Sequence, residues 1–308
     1  VSPRPNFQGV SPVLLTSSCN VLESNSAIPD FGKLSYPFRK AIVIEEIRWT
    51  LRAASIVDDA RFNLGAIVST KLQFGRHYLM RDPVPIWLLG TLMSRGQEQS
   101  IDTGLTVPTC YSHYRWRLPE PLYLEAGEVL GSWFTRGVDG FGTFYGSGGV
   151  NVEVSYAGKT VAPNAPRPVT IPVPYAAPFV TTLGQAYQQS NENHLFNPFD
   201  VNFRVQRLTG RLLDLVAPVD ITAGTMSSLQ GLTPVVPGNA ISVLMNDSWG
   251  GKMVNNNTGP GDVFDCLRAA WTVDTVMPPK GVYEIRAWNI PPTQQLHVAV
   301  IGVREENA

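Results

Sequence analysis

Four histidines, three cysteines and a scatter of carboxylates are the residues of this 308-residue chain that could do chemistry. A metal held on a β-scaffold needs imidazoles projecting from one side of a strand at His-x-His spacing, with a carboxylate and a more distant His completing the set. No two of His77, His113, His194 and His297 are two residues apart, so they read as surface or hydrogen-bonded core histidines. Cys19, Cys110 and Cys266 are widely separated and lack CxxC spacing. They read as separate buried or half-buried thiols of a protein that matures in a reducing compartment. Glu45 and Glu46 fall in an extended segment, where consecutive side chains point to opposite faces and cannot share a substrate. Asp58 and Asp59, beside Arg61, read as a solvated turn. Asp262 and Asp265, near the Asn-rich VNNNTGPGD, offer oxygen ligands at a spacing that matches no established calcium loop. In GVDGFGTFYGSGG (137–149), Gly140, Gly142 and Gly146 have GxGxxxG spacing, with no helical pattern following to aim an N-terminus at a phosphate. A surface loop is the reading there. No GxSxG elbow, Walker loop or HExxH occurs. The sequence thus predicts no catalytic, cofactor-binding or metal-ligating residue, and a protein that is not an enzyme.

The elements that would position any such residues are short strands. The chain has 27 Gly, 25 Pro and only 16% charged residues, a balance that suits strands joined by many turns. A formal net charge of -1 offers no field for gripping a polyanion, which disfavours direct binding of nucleic acid. No run approaches the ~20 apolar residues of a membrane-spanning helix, and the polar, Pro-containing VSPRPNFQGV is no secretory signal.

The strands come twice. In RWRLPEPLYLEAGEVLGSWF (115–134), Trp116 and Trp133 are seventeen residues apart around a Pro-rich turn and Gly127. In AWTVDTVMPPKGVYEIRAW (270–288), Trp271 and Trp288 repeat that spacing around Pro278, Pro279 and Gly281. Upstream, Phe38, Ile42 and Ile44 share one strand face, and the apolar parity then slips to Ile47, Trp49 and Leu51. A β-bulge produces such a slip, because one extra residue moves all later side chains to the other parity. Val201, Phe203 and Val205 followed by Leu208 and Leu212 slip at the same place, 161 residues later. Closing strands alternate at Val150, Val152, Val154 and again at Leu296, Val298, Val300. AIVSTKLQF (66–74) and PIWLLGTL (85–92) are read as further strands. Four early prolines make residues 1–30 an arm. Six prolines in VAPNAPRPVTIPVPYAAPF (161–179) predict an extended stiff connector outside any domain interior.

About eight strand segments per copy is the content of a jelly roll. The expected fold is all-β, two tandem eight-stranded jelly-roll barrels: an N-terminal arm at 1–30, the first jelly roll at 31–160, a Pro-rich linker at 161–194 and the second jelly roll at 195–308. A tandem of this kind, with the Pro-Phe starts at Pro37 and Pro198, the tryptophan pairs and the closing valine strands, resembles the double jelly-roll major capsid proteins of icosahedral viruses. That lineage includes adenoviruses, tectiviruses and corticoviruses, and the short chain is most like those of small lipid-containing bacteriophages such as finnlakeviruses. The resemblance implies a structural virion protein made in the host cytoplasm, whose homotrimers form pseudo-hexagonal capsomers. It implies partners in neighbouring capsomers, in penton or vertex and minor capsid proteins, and in an internal lipid membrane reached through the arm. It implies no cofactor and no sequence-specific nucleic-acid binding. Two alternatives stand beside it: a two-domain cupin-like metalloenzyme, which would need a metal, and a carbohydrate- or receptor-binding β-sandwich protein, with Phe144, Tyr145 and Trp249 as aromatic candidates.

Overall fold

The period-two segments become strands whose inward side chains are apolar, and their long-range pairing produces two barrels. The computed structural model describes residues 11–21, 30–35, 40–54, 64–98, 109–136, 150–162, 165, 168, 170–180, 194–214, 225–230, 233–240, 267–288 and 294–307. The first barrel contains β1 (Pro12–Val21), β2 (Asp30–Ser35), β3 (Ile42–Ala54), β4 (Val68–Phe74), β5 (His77–Tyr78), β6 (Val84–Pro85), β7 (Thr91–Glu98), β8 (Thr109–Leu124), β9 (Val129–Arg136) and β10 (Val150–Thr160). One sheet has the order β1-β10-β3-β8-β7; the other is β2-β9-β4-β5, with β6 also paired to β4. First pairs with last, β2 with β9 and β3 with β8, all antiparallel. That nested pairing is the wiring of a jelly roll.

The second barrel repeats it. Its strands are β11 (Thr170–Val180), β12 (His194–Phe196), β13 (Phe203–Asp214), β14 (Thr225–Gln230), β15 (Thr233–Ala240), β16 (Leu267–Met277), β17 (Val282–Trp288) and β18 (Gln294–Asn307). They form the sheets β11-β18-β13-β16 and β12-β17-β14-β15. Strand for strand, β11 plays the part of β1, β13 of β3, β16 of β8 and β18 of β10.

The parity slip read from the sequence is a bulge in both barrels. Pairing of β3 with β10 and with β8 shifts between Ile44 and Glu46, and pairing of β13 with β18 and with β16 shifts between Val205 and Arg207. Glycine faces each bulge. A Cβ at Gly158 would collide with the carbonyl of Val43, and one at Gly302 with the carbonyl of Arg204, so the strand opposite the bulge can approach only without a side chain. The bulge also corrects the expectation for Glu45 and Glu46. Both lie between the inward, fully buried Ile44 and Ile47, so both carboxylates are on the outer side, where Glu45 pairs with Lys159 at 2.5 Å and Glu46 with Arg48 at 2.5 Å.

Both segments expected to lie outside the barrels contain strands. Residues 12–21 of the expected arm are β1, an edge strand that pairs along its whole length with β10 and buries Val13, Leu15 and Val21. Residues 170–180 of the expected linker are β11, which pairs with β18 from Thr170↔Asn307 to Val180↔His297 and buries Ile171, Val173 and Tyr175. Its prolines are tolerated because β11 is an edge strand and they share one parity. Pro172, Pro174 and Pro178 have the same parity as Ala176, whose N–H points away from β18 and donates to the carbonyl of Leu79 at 2.8 Å. Proline at those positions removes no donor from the ladder. Each repeat therefore begins two strands before the segment where the sequence pattern first becomes strong.

One expected strand is a helical turn. Ile86–Leu89 within PIWLLGTL form α2, all four residues buried, closed by the Gly90 N–H donating to the Ile86 carbonyl at 2.9 Å; the strand β7 starts only at Thr91. Leu64–Ile67, overlapping the start of AIVSTKLQF, form a second turn, α1. Burial against neighbours, which short apolar runs do not encode, decides between strand and helical turn here. The core of the first barrel is built on Trp49 and Trp116, stacked with centroids 6.3 Å apart. It also holds Tyr156, whose hydroxyl hydrogen-bonds Ser132 and whose ring meets Phe74 edge-on at 5.2 Å. Trp133 differs from Trp116: it is half-buried on β9 between the inward Ser132 and Phe134. The side chains of Trp271 and Trp288 lie outside the described residues.

Candidate functional site at the junction of the barrels

Among the described residues, those that could do chemistry do not converge on one site. Among the described residues no three His, Cys, Asp or Glu side chains gather as a metal site would require. His113 is half-buried on β8, hydrogen-bonded through Nδ1 to Thr50 Oγ1 at 3.0 Å. Cys19 is half-buried on β1. Asp58, Asp59, Asp262, Asp265, Cys266, Phe144, Tyr145, Trp249 and the 137–149 glycine loop lie outside the described residues, as do the side chains of Cys110, His194 and His297.

What the fold does bring together is the seam between its two barrels. The outer side of sheet β11-β18-β13-β16 lies against the first barrel, where Ala176, Thr209, Ala299 and Ile301 are buried. Thr209 donates its hydroxyl hydrogen to the Leu88 carbonyl in α2 at 2.6 Å. Ile171, Val173, Ala176, Ala299 and Ile301 join one continuous apolar cluster with the core of the first barrel. Small side chains on the second barrel let α2 approach closely, and the apolar contact makes the pair a unit.

A charged group lies buried in this seam. His77 of β5, 3% exposed, places Nδ1 2.6 Å from Glu306 Oε2. The other oxygen, Glu306 Oε1, accepts from Arg304 Nε at 2.5 Å, and Arg304 Nη2 donates to the carbonyl of Tyr78 at 2.9 Å. The Arg304 guanidinium lies 3.9 Å from the centre of the Phe199 ring and 5.4 Å from that of Tyr175, the range of cation–π attraction. Arg81 approaches Phe199 from the first barrel at 5.4 Å. Burial opposes ionisation of Glu306, yet the His77 hydrogen bond and the Arg304 charge outweigh it and hold its pKa below the ordinary carboxylate value. Burial also pushes the Tyr175 hydroxyl up to about 12, so it is neutral at physiological pH. An ion pair with both partners hydrogen-bonded can offset its desolvation, and it fixes register between the packed bodies more than it adds raw stability. Sequence inspection passed over Arg304 and Glu306, because nothing in REEN marks which charges will be covered by a distant loop.

Nothing in this arrangement has the equipment of catalysis: no nucleophile beside a base, no oxyanion cradle and no ligand set is on view among the described residues. It is the arrangement of a structural joint.

No protein-family model and no curated protein sequence matches the chain. Solved structures do match its fold over nearly its full length. PBCV-1 VP54, fitted into a reconstruction of the virophage Sputnik, superposes with a TM-score of 0.54 at 7% identity, covering 99% of this chain and 96% of that one. The STIV MCP gives 0.54 at 10% identity, covering 96% of both chains. A quasi-atomic model of the PBCV-1 virus capsid gives 0.54 at 8% identity, covering 99% and 96%. At such identities the likeness is one of fold: two jelly rolls in one chain, the architecture of these capsid proteins.

Proposed function

We propose that this chain is the major capsid protein of an icosahedral virus, a structural protein and not an enzyme. One observation carries the reading: two copies of a jelly roll are joined side by side by a buried apolar seam, so that one chain presents two barrels as a single building block. Near-complete coverage of this chain by the STIV MCP and PBCV-1 VP54 folds supports it. A contact between unlike faces of similar bodies is heterologous, and heterologous contacts close into rings when the rotation per body permits. Three chains would give six barrels, a three-fold object that fills a six-fold lattice site. We further propose that the barrels comprise residues 12–160 and 170–307, that the virion is where the protein resides after synthesis in the host cytoplasm, and that vertex proteins, minor capsid proteins and a membrane beneath the shell are its other neighbours.

The test is direct. Purified protein is expected to form trimers in light scattering and native mass spectrometry, and hexagonal capsomers in electron micrographs of the source particle. A chain that remains monomeric at high concentration refutes the reading.

A further inference from the structure

The strand that meets the first barrel, β11, has an edge with almost no donors. Along an antiparallel ladder, residues alternate between facing the partner strand and facing away from it with both N–H and C=O. In β11 the residues of even number face away from β18, as the Ala176 N–H does. Between 172 and 178 these are Pro172, Pro174, Ala176 and Pro178, so three of the four have no N–H to offer. The fourth donates to the carbonyl of Leu79 at 2.8 Å, the one backbone hydrogen bond between the barrels among the described residues. By register against Gly158 and Gly302, β1 is the equivalent edge of the first barrel; it has Pro12 in the place of Pro174, but Thr16 in the place of Pro178. The edge at the junction is the more heavily stripped of the two.

We propose that the outward edge of β11 is a docking edge with a single permitted partner: the prolines at 172, 174 and 178 deny it to other strands, and the N–H of Ala176 seats residues 78–79 of the same chain. An edge strand with free donors is a template for a further strand, and strand addition draws its affinity from main-chain hydrogen bonds in both directions. Three prolines withdraw the donors of β11 from that exchange and leave an incoming strand half a ladder. The edge is uncovered until the barrels dock, so the exclusion acts during folding, when unpaired edges are most exposed to wrong partners.

Residues 78–79 are a partner that needs only one such donor. The N–H groups of Leu79 and Met80 turn back to the carbonyl of Leu72, at 3.0 and 3.4 Å, so the segment offers acceptors and no strand-like alternation of donors. Its two carbonyls are both taken by the second barrel, Tyr78 by Arg304 Nη2 at 2.9 Å and Leu79 by Ala176. The Leu88 carbonyl receives Thr209 Oγ1 at 2.6 Å in the same sense. In all three bonds the acceptor is main chain of the first barrel and the donor belongs to the second. Leu79 and Met80 are fully buried, so apolar contact supplies the attraction and the donors select where the barrels seat. The inference concerns how the chain pairs with itself and does not use the capsomer reading. Prolines that are merely tolerated on a covered edge would leave folding and solubility unchanged when replaced.

The experiment uses the full-length chain refolded from urea. Pro172→Ala/Pro174→Ala/Pro178→Ala returns three N–H groups to the edge, and Pro278→Ala/Pro279→Ala, in the exposed turn between β16 and β17, is the control for lost prolines as such. Sedimentation velocity and thioflavin T fluorescence are recorded across a concentration series, with near-UV circular dichroism as the check of folding. The triple variant is expected to fold and also to yield thioflavin-positive species larger than any from wild type or the control, in which the amides at 172, 174 and 178 are protected from hydrogen exchange. In wild type the Ala176 amide is expected to exchange slowly. Ala176→Pro, which spares the ladder to β18, is expected to speed exchange at Leu79 and Met80 about tenfold, the loss of one hydrogen bond. A triple variant that matches wild type, aggregates no more than the control or does not fold overturns the exclusion. Fast exchange of the Ala176 amide in wild type, or a folded Ala176→Pro with unchanged exchange at Leu79 and Met80, overturns the seating role; should Ala176→Pro not fold, the wild-type amide decides. Each of these results leaves the capsomer reading standing, since that reading falls with a wild type that stays monomeric.

Discussion

Replacing Glu306 by Gln removes the charge that joins the barrels and leaves Arg304, whose side chain is 1% exposed, buried beside His77 without a carboxylate. Breaking one partner out of a buried pair costs about 3–5 kcal/mol, whereas an exposed pair is worth under about 1. Glu306 keeps 25% of its surface, so its loss is expected near the lower end, about 2–4 kcal/mol, a fall in thermal midpoint on the order of 10 °C. Arg304→Met tests the origin of that cost, because it withdraws the stranded cation and leaves an apolar side chain against Phe199 and Tyr175. In a denaturation cycle with both single variants and the double, the coupling energy is expected to exceed about 1 kcal/mol. The pH dependence follows from the sign of the shift. The pKa of Glu306 is depressed in the folded protein, so its contribution is present above the unfolded value of 4.5 and is lost as the pH falls through the lower folded value. Wild type and Glu306→Gln should therefore converge in stability as the pH drops below 4.5 and separate above it. An unfolding free energy for Glu306→Gln within about 0.5 kcal/mol of wild type at neutral pH, or strictly additive single variants, would refute the joint as described.

Other outcomes follow from the core and the bulges. Trp116→Ala, which empties the stacked position beside Trp49, is expected to cost about 3–5 kcal/mol and most of the soluble yield; a variant that is as stable as wild type in urea contradicts its placement. Trp133→Ala, on a half-buried site, should cost clearly less in the same titration. Gly302→Val should abolish folding or assembly because its side chain meets the Arg204 carbonyl, while Gly127→Ala, with nothing near its Cβ but a φ of 87°, should cost only the backbone strain, about 1 kcal/mol. Dialysis against EDTA is expected to leave the thermal midpoint unchanged; stoichiometric Fe, Mn or Zn by elemental analysis would revive the metalloenzyme alternative.

Local patterns told most of what they could. Alternation and its slip at Ile44/Ile47 and at Val205/Leu208 marked bulges in both copies, since side-chain parity is a property of the strand itself. The repeat, the all-β class and the jelly-roll strand content could be read the same way. The prolines misled about 161–179 because their number was counted and their parity was not. Pro172, Pro174 and Pro178 at alternate positions are the mark of an edge strand whose proline nitrogens face away from its ladder. Likewise PIWLL carried no period long enough to separate a helical turn from a strand.

Sequence alone, then, determined which residues are strand-forming and that they come as one unit used twice. Tertiary structure decided which strands close each barrel: Val13 meets Gly158 and Tyr175 meets Gly302, partners that no local spacing names. It also decided that His77, Arg304 and Glu306 form one buried joint. Pairing and burial are relations between distant segments, set by the loops and the packing of whole sheets. A chain encodes them only through the fold it reaches.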